Sequence, residues 1–273
     1  MPELPEVQTI ISRLDPVVAR RRVAGFRLLR RDIVKHGPAD LARRLKGKAI
    51  TAVERHGKRI IIRFSGGERL NVHLGMTGSL HLAPAGSPTA KHTHLRIRLQ
   101  DLDAELRFRD PRRFGGIWLE HGGQRGSGRF SAPLGPDALR IRLPEFRALA
   151  SRRRQIKQLL LDQEAIAGLG NIYTDEALFL AGIHPRKMAA GISRRKVALL
   201  LDSIRKVLRA SIAAGGSSIQ DYVNADGEPG WYQLKHRVYG REGKPCPRCR
   251  AKIRRETVGS RSTHFCPRCQ RER

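Results

Sequence analysis

The four cysteines of the chain all lie near its C-terminal end, as two Cys-Pro-Arg-Cys knuckles. Cys246 and Cys249 form the first knuckle, Cys266 and Cys269 the second, and residues 250–265 lie between them. Two C-x-x-C knuckles at this separation can place four thiolates around one tetrahedral Zn²⁺, with a hairpin between them. Four thiolates leave no open coordination position, so the pattern predicts one closed, structural Zn²⁺ site. Disulfides and redox dithiols are disfavoured, because no secretion signal is present and a redox motif needs no second copy.

The first six residues, MPELPE, combine a candidate nucleophile with two carboxylates. An initiator Met is normally removed before Pro, which exposes the secondary amine of Pro2. With a pKa of about 8, roughly a tenth of such an α-amino group is unprotonated at pH 7. Its attack on the anomeric carbon of a sugar gives a cationic iminium, and Glu3 and Glu6 could act as acid or base. The alternative is that Pro and Glu simply occupy the first turn of a helix.

The charge balance indicates the class of partner. The chain has 54 Lys and Arg against 25 Asp and Glu, a net charge of +29. Such an excess suits a polyanion, and nucleic acid is the commonest one. A secreted or membrane protein is disfavoured, because no apolar run approaches the roughly 18 residues that span a bilayer. The basic residues are also spread over many segments instead of lying along one amphipathic helix.

Hydrophobic periodicity divides the chain into a β-rich half and a helical half. Residues 7–20 predict a leading helix, which Pro16 kinks or ends. Short alternating stretches predict strands in an antiparallel sandwich or barrel. These stretches are residues 50–55, 59–64, 70–74, 80–82, 95–99, 105–109 and 116–120.

The second half predicts helices with apolar faces. Ile156, Leu159 and Leu160 share one face, residues 172–180 form another helix, and Ser193 caps a long helix. The buried stripe of this long helix consists of Val197, Leu201, Ile204, Val207 and Ile212. Residues 215–232 predict a long functional loop.

These patterns give an α+β fold with three parts and a linker. A β-sandwich domain with its leading helix occupies residues 1–121, and a Gly-, Ser- and Pro-rich linker occupies 122–137. A helical domain follows over residues 138–236, and the zinc finger over residues 237–273.

Taken together, the motifs resemble bacterial formamidopyrimidine-DNA glycosylase, a repair enzyme for 8-oxoguanine. The resemblance covers nearly the whole chain in order. The matching segments are MPELPEV, HLGMTGSL from His73, DPRRFGG from Asp110, GLGNIYTDEALFLAGIHP from Gly168, GGSSIQDYV, VYGREGKPC and the four-Cys finger. The resemblance implies a β-sandwich domain followed by a helix-two-turn-helix and a zinc finger.

The resemblance also implies catalytic roles at matching positions. Pro2 matches the nucleophile that forms a Schiff base with the damaged nucleoside, and Glu3 the residue that donates a proton during base release. Lys58 matches the basic residue of β-elimination and Arg261 the finger arginine of δ-elimination. Glu6 matches a family acid with a less defined role.

DNA contacts carry over in the same way. Met76, Arg112 and Phe114 match side chains that fill the gap left by an extruded base, where an apolar, aromatic and cationic group can restack the duplex. Taken alone, Met76 and Phe114 would instead be read as core residues. The resemblance further implies phosphate contacts at His92, Arg152, Lys157 and Asn171.

The resulting hypothesis is a monomeric bacterial cytoplasmic enzyme that excises oxidised purines from double-stranded DNA and cleaves the resulting abasic site. One alternative is the related endonuclease VIII, which prefers oxidised pyrimidines. It is disfavoured by the opening Pro-Glu-Leu-Pro-Glu and by the DPRRFGG segment. The other alternative is a non-catalytic, zinc-dependent nucleic-acid-binding protein.

Overall fold

A computed structural model describes residues 2–37, 40–121, 132–218 and 229–272 of the chain. The chain forms two compact units: unit 1 combines Met1–Pro133 with Gly215–Gly230, and unit 2 combines Leu134–Ala214 with Trp231–Arg273. Most of the predicted linker, and residues 219–228 of the predicted loop, lie outside the described residues. The zinc-finger region, predicted as a separate domain, falls in the same unit as the helices.

Unit 1 begins with the helix α1, Leu4–Val18. The helix starts three residues earlier than predicted, because Pro5 suits a first turn and because Glu3 and Glu6 form a capping box. Pro16 lies inside the helix near its end. The predicted apolar face is buried, and consists of Val7, Ile10, Ile11, Leu14 and Val18.

Two sheets share one apolar core in unit 1, which gives the predicted β-sandwich. The four-stranded sheet has the order β1-β7-β8-β6, and the five-stranded sheet the order β2-β9-β5-β4-β3. The strands are β1 Val23–Leu28, β2 Val34–His36, β3 Ile50–His56, β4 Arg59–Phe64, β5 Glu68–His73, β6 Ser79–Pro84, β7 Thr93–Leu99, β8 Ala104–Arg109 and β9 Gly116–His121. In β7 the predicted alternation holds for Leu95, Ile97 and Leu99, which are buried, but His94 on the other face is buried too.

Three elements of unit 1 were missed by the sequence analysis. They are β1, β2 and the short helix α2, Leu41–Leu45. A register irregularity interrupts β1 between Val23 and Gly25, and β2 has only three residues in a parallel pair with β9. The irregularity disturbs the alternation of β1, and β2 is too short to show a hydrophobic period.

Four helices form the centre of unit 2: α3 Leu143–Ala150, α4 Ile156–Leu161, α5 Asn171–Ala181 and α6 Arg194–Ala213. Ser193 caps α6 as predicted, since its Oγ accepts the N–H of Lys196 at 3.4 Å. The predicted stripe of α6 is buried except for Ile212, which is half-buried, while the neighbouring Ser211 is buried and bonded to Tyr173.

The finger is a hairpin of β10, Arg254–Val258, and β11, Arg261–Phe265. Gly259 and Ser260 join the strands with φ of 55° and 62°. Two successive positive φ values are the geometry of a tight hairpin turn. No helix within the described ranges is long and apolar enough to cross a membrane.

Candidate active site and zinc site

The first turn of α1 gathers the predicted nucleophile and both carboxylates. Pro2 is buried, and Glu3 and Glu6 are 3% and 2% exposed. One Glu6 oxygen, Oε2, accepts the N–H of Glu3 at 2.8 Å, and the other, Oε1, accepts the N–H of Ser217 at 2.8 Å. Glu6 therefore links the start of the 215–230 segment to the helix start, where its carboxylate acts as a hydrogen-bond acceptor.

Lys58 lies in the turn between β3 and β4 and is 8% exposed. Arg55, at the end of β3, donates from Nε to Gln8 of α1 at 2.9 Å and from Nη1 to the carbonyl of Gly57 at 3.1 Å. One guanidinium thus fastens this turn to the helix that begins beside Pro2. The sequence predicted Lys58 only through the family resemblance, and its role in elimination stays a prediction.

Met76, Arg112 and Phe114 form an exposed cluster at the tips of two loops, which we call the wedge. Met76 lies between β5 and β6, whereas Arg112 and Phe114 lie between β8 and β9. Met76 is 41% and Phe114 46% exposed, and the Arg112 guanidinium lies 4.6 Å from the centre of the Phe114 ring. An exposed Met and Phe are not core residues, which removes the alternative reading of these positions. The attraction between the cation and the ring face holds these two side chains together in a stacked arrangement.

His92 and Arg152 are two of the four predicted phosphate contacts. His92 is half-buried beside the wedge loops, with a φ of 68°, and its carbonyl accepts the N–H of Asp110 at 3.1 Å. Desolvation and the nearby cations Lys91 and Arg109 lower the pKa of His92 below its ordinary value. Arg152 is exposed in the α3–α4 connection.

Lys157 departs from the expected surface cation. Its side chain is 0% exposed, its Nζ lies 2.6 Å from Oδ1 of the equally buried Asp175, and it also donates to the carbonyl of Ser262 at 3.2 Å. The expectation of a direct phosphate contact is therefore not supported by the position of Lys157. Asn171 donates to the same Ser262 carbonyl at 2.7 Å, and Oδ2 of Asp175 accepts the N–H of His264 at 2.8 Å.

These bonds position the finger hairpin that carries Arg261. Arg261 is exposed and follows the Gly259-Ser260 turn at the hairpin tip. A Cβ at Gly259 would lie 2.8 Å from Cγ of Gln158 in α4, so the tip packs closely against that helix. The structure thus brings together Lys157, Asn171 and Arg261, which the sequence analysis had named separately.

The four cysteine sulfurs fit one zinc ion. All four lie within 4.8 Å of one another, with 3.9 Å between Cys246 and Cys269 and 3.4 Å between Cys249 and Cys266. A tetrahedral site with Zn–S bonds of about 2.3 Å requires sulfurs about 3.8 Å apart. The donor set and its spacing therefore match a structural Zn²⁺ site.

The zinc site is fastened to the C-terminal end of α5. Arg248, inside the first knuckle, donates to the carbonyls of Phe179 and Leu180 at 3.0 Å each and stacks 4.6 Å over the Phe179 ring. Gln270 donates to the carbonyl of Ile183 at 2.9 Å and accepts the N–H of Cys266 at 2.9 Å. A cation at the open carbonyls of a helix end is favourable, so the knuckle also completes this helix.

Comparison with known proteins identifies the family. Residues 1–117 match the formamidopyrimidine-DNA glycosylase N-terminal domain, residues 134–223 its H2TH domain, and residues 243–271 a zinc finger found in FPG and IleRS. A formamidopyrimidine-DNA glycosylase of Solibacter usitatus is 46% identical over 99% of this chain and 100% of its own. The chain belongs to the formamidopyrimidine-DNA glycosylase family.

Solved structures of this glycosylase family agree with that assignment. A Lactococcus lactis FPG mutant in complex with DNA containing Fapy-dG matches with a TM-score of 0.90 and 35% identity, over 99% of this chain and 100% of that one. MutM in complex with DNA containing carbocyclic 8-oxo-G matches with a TM-score of 0.88 and 37% identity, over the same shares. The predicted resemblance, the fold class and the zinc finger are confirmed.

Several residues of this glycosylase site were not found from the sequence. Asp175 and Glu176 are buried acids in an otherwise uncharged helix, and that isolated pair of charges was the signal available. Glu176 accepts the N–H groups of residues 237–239. These bonds favour its charged form, but the burial of its side chain has the larger effect and raises its pKa. Ser217 carried no signal, because its contact with Glu6 uses the main chain.

Proposed function

We propose that this chain is a bifunctional DNA glycosylase and abasic-site lyase that excises oxidised purines, 8-oxoguanine and formamidopyrimidines, from duplex DNA. The supporting observation is the buried start of α1, where Pro2 stands beside two buried carboxylates. This arrangement puts a candidate nucleophile next to candidate proton donors, which base release through a Schiff base requires. Family membership along the whole chain supports the same activity.

Pro2 is the nucleophile in this proposal. Once Met1 is removed, the unprotonated amine attacks C1′ of the damaged nucleoside, and the bond from C1′ to the base breaks. The electron pair of that bond goes to the leaving base. Glu3 supplies a proton to the leaving base or to the sugar. The amine then loses its proton, the C1′–O4′ bond of the sugar ring breaks and O4′ takes up a proton. The product is an iminium that joins Pro2 to C1′ and is an electron sink for the next steps.

Lys58 and Arg261 serve the eliminations. Removal of a proton from C2′ of the iminium, assigned to Lys58, expels the 3′ phosphate. A second elimination, assigned to Arg261, expels the 5′ phosphate and leaves a one-nucleotide gap. The zinc ion shapes the hairpin that carries Arg261, and none of these steps uses it.

The wedge and the basic residues bind the DNA. Met76, Arg112 and Phe114 fill the space left by the extruded base, which offsets an unstacking cost of a few kcal/mol. Phosphate contacts at His92, Arg152 and Asn171 remain part of the proposal. The partner is lesion-containing double-stranded DNA, the enzyme acts as a monomer, and its place is the bacterial cytoplasm.

Excision rates on two duplexes test this proposal against its alternatives. We expect efficient release of 8-oxoguanine opposite C, a much slower reaction on thymine glycol, and a final product with phosphate at both ends of the gap. A faster reaction on thymine glycol would instead assign the endonuclease VIII specificity. Binding without release of either base would leave only the non-catalytic alternative.

A further inference from the structure

Asp110 joins the two loops that carry the wedge. It directly follows β8 and is 0% exposed. Its Oδ1 accepts the hydroxyl of Thr77, next to Met76, at 2.7 Å, and its Oδ2 accepts the N–H of Gly115, next to Phe114, at 2.8 Å. One carboxylate therefore spans the β5–β6 loop and the β8–β9 loop.

The main-chain groups of Asp110 hold the same region. Its N–H donates to the carbonyl of His92 at 3.1 Å, and its carbonyl accepts the N–H of Arg113 at 3.2 Å. His94 places Nε2 2.9 Å from that carbonyl as well. The β6–β7 connection is thus tied to the same residue as the two wedge loops.

Glycines allow the two wedge loops to touch through their backbones. A Cβ at Gly75, where φ is 63°, would lie 2.3 Å from the nitrogen of Gly115 and 2.5 Å from the carbonyl carbon of Phe114. A Cβ at Gly115 would lie 2.4 Å from the carbonyl oxygen of His73. No larger residue fits there, so the loops form one unit whose remaining freedom depends on the side-chain bonds across it.

We propose that Asp110 and Thr77 are positioning residues that hold Met76, Arg112 and Phe114 as one rigid wedge for extrusion of the damaged base. Thr77 also accepts the N–H of Arg112 at 3.4 Å, so its hydroxyl contributes at both loops. A wedge set before DNA binds loses less conformational entropy when it enters the duplex, which lowers the barrier to extrusion. This inference rests on the proposed glycosylase function, because it concerns how that enzyme reaches its substrate.

We call the hydrogen bonds of Asp110 and Thr77 across the two loops the clamp. Thr77→Val tests the clamp, since valine keeps the shape of threonine and removes the hydroxyl. We expect single-turnover release of 8-oxoguanine to slow about tenfold, the rate equivalent of one hydrogen bond to a carboxylate. Cleavage at a preformed abasic site, which has no base to extrude, stays within about twofold of wild type. Thr77→Ser keeps the hydroxyl and restores release.

Ser203→Ala is the matched control, because it removes another buried hydroxyl, bonded to the carbonyl of Leu199 at 2.7 Å in α6. Both of its rates remain at the wild-type level. An equal loss of both rates in Thr77→Val, or no loss of release, would overturn the clamp.

Hydrogen–deuterium exchange provides a readout that does not depend on activity. In Thr77→Val we expect faster amide exchange in both wedge loops, residues 74–78 and 110–116, because one carboxylate holds both. Faster exchange in the first loop alone overturns the clamp, even if the wild-type protein excises no base. Absence of excision by wild type, with exchange rising in both loops, contradicts the proposed function and leaves the clamp standing.

Discussion

Two neighbouring glutamates at the start of α1 differ in what they can do. Glu6 gives one oxygen to the N–H of Glu3 and the other to the N–H of Ser217, so its carboxylate holds two segments of unit 1 in place. Glu3 is equally buried and adjoins the predicted nucleophile. Both carboxylates belong to the capping box. The contact with Ser217 adds a positioning role for Glu6, while the proton transfer stays proposed for Glu3.

Glu6→Gln tests the positioning role. An amide can accept only one of the two N–H groups and turns its own NH₂ towards the other, which leaves a buried donor unsatisfied at a cost of about 1 to 3 kcal/mol. We expect unit 1 to lose stability by that amount and base release to slow. The fluorescence of Trp118, which is fully buried in unit 1, follows the unfolding in denaturant.

Glu54→Gln is the control for this measurement. Glu54 pairs with Arg63 at 2.7 Å, but both side chains are more than 40% exposed. Losing such a pair costs at most about 1 kcal/mol. If the two variants lose the same stability, the structural role assigned to Glu6 is wrong.

Among single residues, the sequence predicted as site residues those whose chemistry is distinctive. The cysteines were found from their spacing alone, whereas Lys58 and Arg261 were found only through the resemblance, because a lone basic residue is usually a surface charge. Asp110, Thr77 and Ser217 were missed for a physical reason. Their contacts join positions 5 to 211 residues apart, and the Ser217 contact uses only the main chain.

Among the elements, the connection between α4, α5 and the finger hairpin changes the interpretation of Lys157. Its buried ion pair with Asp175 lies where α4 and α5 meet, and both partners also bond to β11. The pair therefore sets the position of the hairpin tip, and through it the position of Arg261.

Lys157→Met tests this arrangement. Removal of one partner leaves Asp175 charged and buried, which costs about 3 to 5 kcal/mol. We expect zinc to be released at a lower denaturant concentration and δ-elimination to fall more than β-elimination. A chromophoric chelator measures the release, and gel separation of the two cleaved ends measures the ratio of products.

Arg154→Met is the matched variant, because Arg154 pairs with Asp162 at 2.6 Å with side chains 44% and 27% exposed. An exposed pair contributes about 1 kcal/mol or less. Equal shifts of zinc release in both variants, or an unchanged ratio of products in Lys157→Met, would contradict the assignment.

Elements with a clear apolar pattern could be predicted from the sequence, and elements without one could not. The strand over Arg59–Phe64 was predicted with its observed ends, because the stretch is rich in β-branched isoleucine and turn residues bound it on both sides. β2 was not predicted, because its three residues are too few to show a hydrophobic period. The start of α1 was placed too late, since its first turn is set by a capping box instead of by apolar spacing.

Over the whole molecule, the charge of +29 exceeds what the site residues require. Some cations of the described residues are buried in structural contacts, such as Arg107, which is 3% exposed and bonded to Glu105 and to the carbonyls of Ser87 and Pro88. Many others are exposed, including the run Arg152–Arg153, so the surface keeps a large positive excess. Such an excess supports binding to any duplex during the search for a lesion.

Salt titration of binding to an undamaged duplex tests whether this excess of positive charge supports the search for a lesion. We expect affinity to fall at least about a hundredfold between about 50 and 200 mM salt, because bound phosphates release counterions. Arg152→Gln should reduce the slope of log K against log salt by about one. Arg43→Gln, whose guanidinium is already paired with Asp40 at 2.6 Å, should leave the slope unchanged. Affinity that does not depend on salt would exclude the search role.

The central claim is that the amine of Pro2 attacks the damaged nucleotide, and borohydride trapping tests it most directly. Reduction during reaction with an 8-oxoguanine duplex converts the iminium into a stable bond between protein and DNA. We expect intact mass to show that Met1 is absent, the adduct to map to the peptide that begins with Pro2, and its yield to fall sharply in Pro2→Gly. No adduct, an adduct on a lysine, or an unchanged yield in Pro2→Gly would contradict the claim.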